Sequence, residues 1–475
     1  MIKLTLIGND YKYEIENIIQ LFFPAESVSE QAENCTAHIT AQKDGDLAKV
    51  TVDISDKHFE KAQACACNDF ERTLCALLYE ILSEYTGIYP KWGIQTGVRP
   101  TKLLRSLKEK KGIEYAKDYF RSKLLVSDEK LNLAYDTMSI QDPLLSKILP
   151  RSFSLYISIP FCKSRCSYCS FISHDVSKSH KLIPDYVQLI CRELEYTAKV
   201  ARDIGLTLQT VYIGGGTPTA IEAEDLQRII AAVYKYFDLS NLLEFTVEAG
   251  RPDTITKQKL DVIKASGADR ISINPQTLND NVLKEIRRNH TAKEFFDCYE
   301  LALKTGFDNI NTDLIAGLPT DTVESFKDTM DQIIGLSPAC VTVHTLSIKR
   351  SSRLVYKGEA EYSPEGGVAS QMLEISHNSL KNSGYLPYYM YRQSRMAGNN
   401  ENIGWSKPGF EGLYNVFIME EAQTILAVGA GASTKLVSED KTNISRIFNY
   451  KYPYEYISGF DEMLKRKSAI YEFYK

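Results

Sequence analysis

The sequence predicts an α/β protein: a partial (β/α)6 barrel over residues 151–347, with a small α/β unit before it and an α+β region after it. Three observations lead there. From Phe153 onward, short β-rich apolar runs alternate with amphipathic helical stretches, the pattern of parallel strands joined by crossover helices. Six of these runs end in polar or Gly-rich residues, where parallel β/α folds collect the groups that handle ligands. A length of 475 residues also exceeds what one ordinary core supports, so roughly two to four domains are expected.

In chain order, residues 1–90 read as an α/β unit: a strand at Ile2–Ile7, a helix around Tyr13–Phe23, two alternating strands within 37–55, and a helix from Asp69 to Tyr85. Residues 91–150 form a mostly helical connector that follows the turn-rich start at Tyr89–Pro100 and ends near Pro150. Its basic run, Lys102, Arg105, Lys108, Lys110 and Lys111, reads as a solvated helix face or, alternatively, as a docking surface for an acidic partner. The expected barrel strands are Ser154–Ile159, Thr210–Ile213, Leu243–Val247, Arg270–Ile273, Asn309–Leu314 and Cys340–His344. Pro184–Arg202 and Glu224–Phe237 are among the helices between them. After Ser347 the alternation stops. The Tyr- and Gly-rich stretch from Tyr385 through Gly412 to Gly429–Gly431 marks residues 348–475 as a C-terminal α+β domain on the substrate side, laid against the barrel mouth.

Composition narrows the class. An apolar share of 44% and a charged share of 25% suit a folded globular chain and argue against disorder or a collagen-like repeat. A net charge of -5 gives no general attraction to polyanions, so neither nucleic acid nor an acidic membrane surface is the expected partner. The first residues gain acidic side chains too early for a signal peptide. Every apolar run is broken by charge or Gly before the ~18 residues a spanning helix requires. The ten cysteines are therefore expected in the reducing cytoplasm, where clustered thiols read as metal ligands or catalytic groups before disulfides.

One cluster stands out. Cys162-Lys-Ser-Arg-Cys166-Ser-Tyr-Cys169 follows the first barrel strand, in a loop able to wrap a single inorganic group. Three thiolates on a [4Fe–4S] cube leave one iron without a protein ligand, and S-adenosyl-L-methionine (SAM) can chelate there. The competing reading is zinc, which closes a tetrahedron with four ligands and would need His174 or Cys191 as the fourth. The other strand ends add Gly214-Gly-Gly-Thr217-Pro218, Glu248, Asn274 with Gln276, Asp313 and His344. Glycines at 214–216 let backbone amides come close to a ligand, expected to be the methionyl group of SAM. Glu248, Gln276 and Asp313 suit an amine or ribose hydroxyls, and Arg288 suits a carboxylate gripped by both prongs of its guanidinium.

From about Arg151 to Thr434 these residues make the chain resemble the radical SAM oxygen-independent coproporphyrinogen III oxidases (coproporphyrinogen dehydrogenases) and their relatives, the radical SAM haem chaperones. The shared pieces are Tyr156 with the Cys162–Cys169 loop, Gly214–Pro218, Glu248, Gln276 with Arg288, Asn311-Thr-Asp313-Leu-Ile-Ala-Gly317-Leu-Pro319, and Gly429–Gly431. The N-terminal unit and Tyr389-Met-Tyr-Arg392-Gln-Ser-Arg395-Met-Ala-Gly398-Asn-Asn look most like the HemZ-type branch. The resemblance implies a radical SAM barrel with Cys162, Cys166 and Cys169 as cluster ligands. It assigns Tyr156, the backbone of Tyr168, Gly215, Gly216, Thr217 and Glu248 to the cluster-bound SAM, and Gln276, Arg288, Asp313 and Ser347 to positions that match a second SAM site.

The implied reaction turns two propionates of coproporphyrinogen III into vinyls, giving protoporphyrinogen IX in haem biosynthesis, with a reducing flavodoxin or ferredoxin as electron donor. Haem binding and trafficking, or a radical SAM methyl transfer, are the alternatives on the same scaffold. A substrate with four carboxylates asks for a basic rim, and Arg165, Lys349, Arg350, Arg353, Arg392 and Arg395 are the candidates. The best-known oxidases carry a further cysteine two positions after the third ligand; Phe171 stands there in this chain, as it does in the haem chaperones. Cys65, Cys67 and Cys75 read as packing in or beside a helix, and Cys35, Cys191, Cys298 and Cys340 as structural.

Overall fold

In the N-terminal unit, alternate residues of two neighbouring segments are buried, as a sheet covered on one face requires. The computed structural model, which describes residues 1–66, 69–171, 173–347, 367–393 and 396–475, places them in a five-stranded sheet. Its strands are β1 (Ile2–Ile7), β2 (Val28–Ser29), β3 (Ala37–Asp44), β4 (Leu47–Ile54) and β5 (Lys57–Ala64), in the order β2-β1-β3-β4-β5. Helices Lys12–Phe22 and Phe70–Thr86 cover one face. They bury Ile15, Ile18, Ile19 and Phe22 from the first and Leu74, Leu77, Leu78 and Ile81 from the second, the spacing of a single helical stripe.

The second sheet has eleven strands and carries the functional region. Leaving β6 (Ser152–Ile159), the chain forms two short strands, β7 (Phe161–Cys162) and β8 (His174–Asp175), which pair with each other and bracket the cysteine loop. It then adds β9 (Thr207–Gly215), β10 (Glu244–Gly250), β11 (Arg270–Ile273), β12 (Ile310–Ala316) and β13 (Cys340–Thr345). From β6 through β13 these pair in parallel and in chain order, the partial (β/α)6 barrel. Amphipathic helices such as Ile183–Asp203 and Ala223–Tyr236 pack on the outside.

The C-terminal strands extend the same sheet at both edges and bring Tyr389, Tyr391 and Asn402 to the cavity at the barrel strand ends. On one side β14 (Leu386–Tyr391) and β15 (Asn402–Ser406) continue antiparallel from β13; on the other β16 (Thr424–Val428) runs parallel to β6, followed by β17 (Ser433–Val437) and β18 (Ile444–Phe448). The reason is the open barrel itself: its two edge strands present unpaired N–H and C=O groups, which added strands satisfy. Among the described residues no helix is long and apolar enough to cross a membrane.

Ion pairs tie the connector to the C-terminal segment. Arg105 pairs with the buried Glu420 and, at 3.0 Å, with Asp142; Lys102 and Arg99 reach Glu421 at 3.0 and 3.1 Å; Lys108 meets Asp142 at 2.7 Å. Lys102, Arg105 and Lys108 are thus engaged within the chain, while Lys110 and Lys111 stay exposed as a solvated end of the run. Deeper still, Lys130 meets Glu401 at 2.6 Å with both side chains nearly inaccessible, and Trp92 Nε1 donates to the same carboxylate at 2.7 Å. Burial alone would push Glu401 up; Lys130, His377 and Trp92 instead hold it down at about 2.

On the far side Glu193, also fully buried, accepts from Lys467 (2.9 Å), Tyr456 (2.6 Å), Asn449 (2.8 Å) and the Gly429 amide (2.8 Å), which anchors the Gly429–Gly431 turn to a barrel helix. Removing one member of such a pair strands the other charge. Lys130→Met is expected to lower stability by roughly 3–5 kcal/mol at neutral pH. The variant's unpaired Glu401 then has a raised pKa, so its deficit in urea denaturation is larger at pH 7 than at pH 5; an equal deficit at both would contradict this account.

Candidate functional site

Residues from the ends of six barrel strands meet in one cavity of about 700 Å³. Cys162, Cys166, Cys169 and Tyr168 line it from the loop after β6, Gly215, Gly216 and Thr217 from the turn after β9, and Glu248 from β10. Asn274, Gln276 and Arg288 follow from beyond β11, and Asp313, His344 and Ser347 from β12 and β13.

The loop is held by its neighbours. Gly216 N donates to Ile159 O and Thr217 N to Phe161 O, each at 2.8 Å, so the glycine turn is stitched to the start of the loop. A Cβ at Gly216 would come within 2.6 Å of Phe161 O, and Gly215 has φ +112°; no other residue type fits either place without displacement. This revises the role expected of the turn: the amides of 216 and 217 grip the protein chain, and the Gly215 amide draws on Glu248. Thr217 Oγ1 lies 3.4 Å from Cys162 Sγ, while Ser167 N donates to Ile286 O at 2.9 Å.

Two guanidiniums converge on Cys166: Arg251 and Arg288 each place Nη1 3.8 Å from its Sγ. Arg251 is fixed by both prongs on Asp253 at 3.0 Å and by Ser164 O at 2.8 Å. Arg288 donates to Tyr168 OH at 3.1 Å, to Gly250 O at 3.3 Å and to Asn274 O. Its terminal nitrogens therefore hold backbone and the thiol loop; only Nε, buried and unpaired, is left for a ligand oxygen.

The lining also carries two acidic side chains, Asp313 and Glu248. Asp313 accepts from Asn274 (2.8 Å) and Asn311 (2.7 Å), with His344 Nε2 at 3.8 Å. Burial opposes its charge, yet His344 and Asn311 keep it below the ordinary carboxylate range. Burial pushes Glu248 up to about 7, despite a hydrogen bond from Tyr212 and with repulsion from Asp313 added. Gln276 adopts φ +70° and is locked to β12 through its own backbone, donating to Asp313 O and accepting from Ile315 N, both at 3.0 Å.

These residues suit a cubane better than a single ion. Three thiols line the cavity, and the fourth ligands a zinc site would need are elsewhere: His174 packs edge-on against Tyr452 and Tyr454, and Cys191 donates to Arg228 O at 3.8 Å. Among the described residues no three His, Cys, Asp or Glu side chains converge in a way that would hold one metal ion. A cube offers each thiolate its own iron, so convergence on a point is not required. A cluster with three thiolates is anionic, which Arg251 and Arg288 complement.

The substrate-side arginines fare differently. Arg392 is buried over the Trp92 ring at 5.1 Å and donates to Gln95 O and, at 3.0 Å, to Asn399 O, so it braces the connector and does not line the cavity. Arg165 is half-buried and also absent from the lining. Lys349, Arg350, Arg353, Arg395 and Cys67 lie outside the described residues. Tyr156 sits behind the lining, stacked on Tyr212 and Tyr414. Sequence reasoning assigned no role to Arg251, Tyr212, Asn311, Tyr391 and Asn415, although Asn311 and Tyr391 stand inside the motifs that carry the resemblance. The first three stand at or near strand ends that were already suspect, whereas nothing local marks Asn415, which arrives on a helix from 413–420.

The radical SAM superfamily profile matches residues 156–333. The chain is 38% identical over 421 residues to the oxygen-independent coproporphyrinogen-III oxidase-like protein HemZ of Bacillus subtilis, covering 86% of this chain and 83% of that protein. It is 30% identical to the heme chaperone HemW of Lactococcus lactis, covering 68% and 81%. The solved coproporphyrinogen III oxidase HemN of Escherichia coli shares the fold with a TM-score of 0.50 at 22% identity, over 69% of this chain and 73% of that one.

Because the folded pKa of Glu248 is raised, its contribution to stability is present below the ordinary carboxylate range and is lost as pH rises through about 7. Glu248→Gln, neutral at every pH, is expected to melt a few degrees above wild type at pH 8.5 when no ligand is present, the gap closing toward pH 5. A melting-temperature difference independent of pH would count against the buried-carboxyl assignment.

Proposed function

The chain belongs to the oxygen-independent coproporphyrinogen-III oxidase-like family of radical SAM proteins, whose cofactors are a [4Fe–4S] cluster and SAM, and from that premise we propose that it oxidatively decarboxylates coproporphyrinogen III to protoporphyrinogen IX. The observation that carries the reading is the shared cavity: three loop thiols together with Glu248, Asp313 and His344 in one lining, in a volume typical of ligand sites. When bound, the two cofactors together would supply a 5′-deoxyadenosyl radical able to take a hydrogen atom from a propionate β-carbon; CO2 would then leave and one electron pass to an external electron acceptor, once for each of two side chains.

In this reading Cys162, Cys166 and Cys169 hold the cluster, and Arg251 and Arg288 offset its charge. Glu248 accepts from the SAM amino group, with Tyr156, Tyr168, Gly215, Gly216 and Thr217 shaping that side of the cavity. Gln276, Arg288 through its unpaired Nε, Asp313 and Ser347 are the candidates for holding a second SAM. A reducing flavodoxin or ferredoxin would feed the cluster in the cytoplasm.

Haem chaperoning is the second reading. Phe171, lining the cavity mouth with 66% of its surface exposed, favours it, because an open aromatic face suits a flat macrocycle. Anaerobic incubation of cluster-reconstituted protein with SAM, a strong reductant and coproporphyrinogen III separates the two. The proposal expects 5′-deoxyadenosine, CO2 and vinyl product, all lost in Cys166→Ser. Deoxyadenosine with no vinyl product, together with tight one-to-one haem binding, would replace it by the chaperone.

A further inference from the structure

Tyr212 lies two residues before the glycine turn, and neither the thiol loop nor the turn assigns it a role. Its hydroxyl donates to Glu248 Oε1. Its ring stacks on Tyr414, with centroids 4.4 Å apart and planes 23° from parallel, and lies 6.1 Å from Tyr156 at 22°, so the phenol has little freedom to turn. Tyr414 is fixed in turn from below: Glu244 accepts from the Leu413 and Tyr414 amides at 2.5 and 3.3 Å, capping the N-terminus of the helix Leu413–Glu420. Glu244 and Glu248 are four residues apart on β10 and share one face of it. A single strand thus closes a ring of dependence, from Glu244 to the helix, to Tyr414, to Tyr212 and back to Glu248. Gly214 leaves the room, since a Cβ there would come 2.9 Å from the Tyr212 ring and 3.0 Å from Glu248 Oε2.

We propose that Tyr212 is a positioning residue that holds the Glu248 carboxylate turned into the cavity to accept from the SAM amino N–H, and that Tyr414 is the backing that orients Tyr212. This rests on the reading of Glu248 as a SAM-holding residue. A phenol O–H can only donate to the carboxylate, so it stabilises the ionised form and its orientation together. Glu248 is half-buried in the cavity wall and faces Asp313 from β12, which opposes its ionisation, and His344 from β13, which favours it; Tyr156 and Tyr414 supply no charge at neutral pH. Without the Tyr212 donor, burial and Asp313 prevail, and Glu248 stays protonated to a higher pH.

The test is equilibrium dialysis of SAM against cluster-reconstituted holoenzyme, without reductant, from pH 6.5 to 9. Tyr212→Phe, which keeps the stack, is expected to weaken SAM binding about tenfold at pH 7, to move the pH midpoint of binding upward, and to narrow the deficit toward pH 9. Tyr414→Leu, which keeps the hydroxyl but removes its backing, is expected to shift binding the same way by less. In the Glu248→Gln background Tyr212→Phe should add nothing. Wild-type affinity and pH dependence in Tyr212→Phe, or a loss equal at every pH, would overturn the inference. Absence of SAM binding by the wild-type holoenzyme at any pH would instead overturn the reading of Glu248 on which it stands.

Discussion

Two backbone hydrogen bonds, from Gly216 to Ile159 and from Thr217 to Phe161, bind the thiol loop to the strand beside it, and the rest of the site is arranged around that seam. They can form only because position 216 carries no side chain and position 215 takes a positive φ. With the seam closed, Thr217 reaches Cys162, the short β7–β8 pair brackets the loop, and Arg251 and Arg288 close on Cys166 from the next two strand ends. The loop then has little conformational choice left when it meets its cluster, which is what preorganisation of a first coordination shell requires.

A second constraint is electrostatic. The molecule buries carboxylates on both sides of the barrel wall and treats them in opposite ways. Glu193 and Glu401, outside the cavity, are each given a buried lysine and several donors, and act as rivets between distant segments. Glu248, inside, has no lysine or arginine among its hydrogen-bond partners, only Tyr212 and an amide, and burial leaves it near neutrality. A carboxyl held with an incomplete complement of partners is suited to a cationic ligand, and such under-compensated groups collect at functional sites.

Much of this was legible in the sequence. The barrel strands announce themselves because each is an apolar run whose end turns abruptly polar; Arg270–Ile273 matches the structure residue for residue. The thiol loop and the acidic positions were visible because metal chemistry demands particular residues at particular spacings. β5 was not visible: as an edge strand it reads Lys-His-Phe-Glu-Lys-Ala-Gln-Ala and is mostly exposed, without the apolar alternation that marks a covered strand. Arg392 beside so many tyrosines looked like a carboxylate clamp, but its partners Trp92 and Gln95 lie some three hundred residues earlier, and no local pattern reveals them. The partners of Lys102 and Arg105 were hidden for the same reason, since Glu421 and Glu420 reach them from the far end of the chain. That the C-terminal strands extend the barrel's edges is likewise a property of pairing across distance.

The central claim is that Cys162, Cys166 and Cys169 leave one iron of a cube open to SAM. The electron paramagnetic resonance spectrum of anaerobically purified, dithionite-reduced protein, recorded before and after SAM is added, tests it most directly. The account predicts a [4Fe–4S]+ signal whose g values shift with SAM and which disappears in Cys166→Ser. Zinc in place of iron, or an iron–sulfur signal that SAM leaves unchanged, would contradict it.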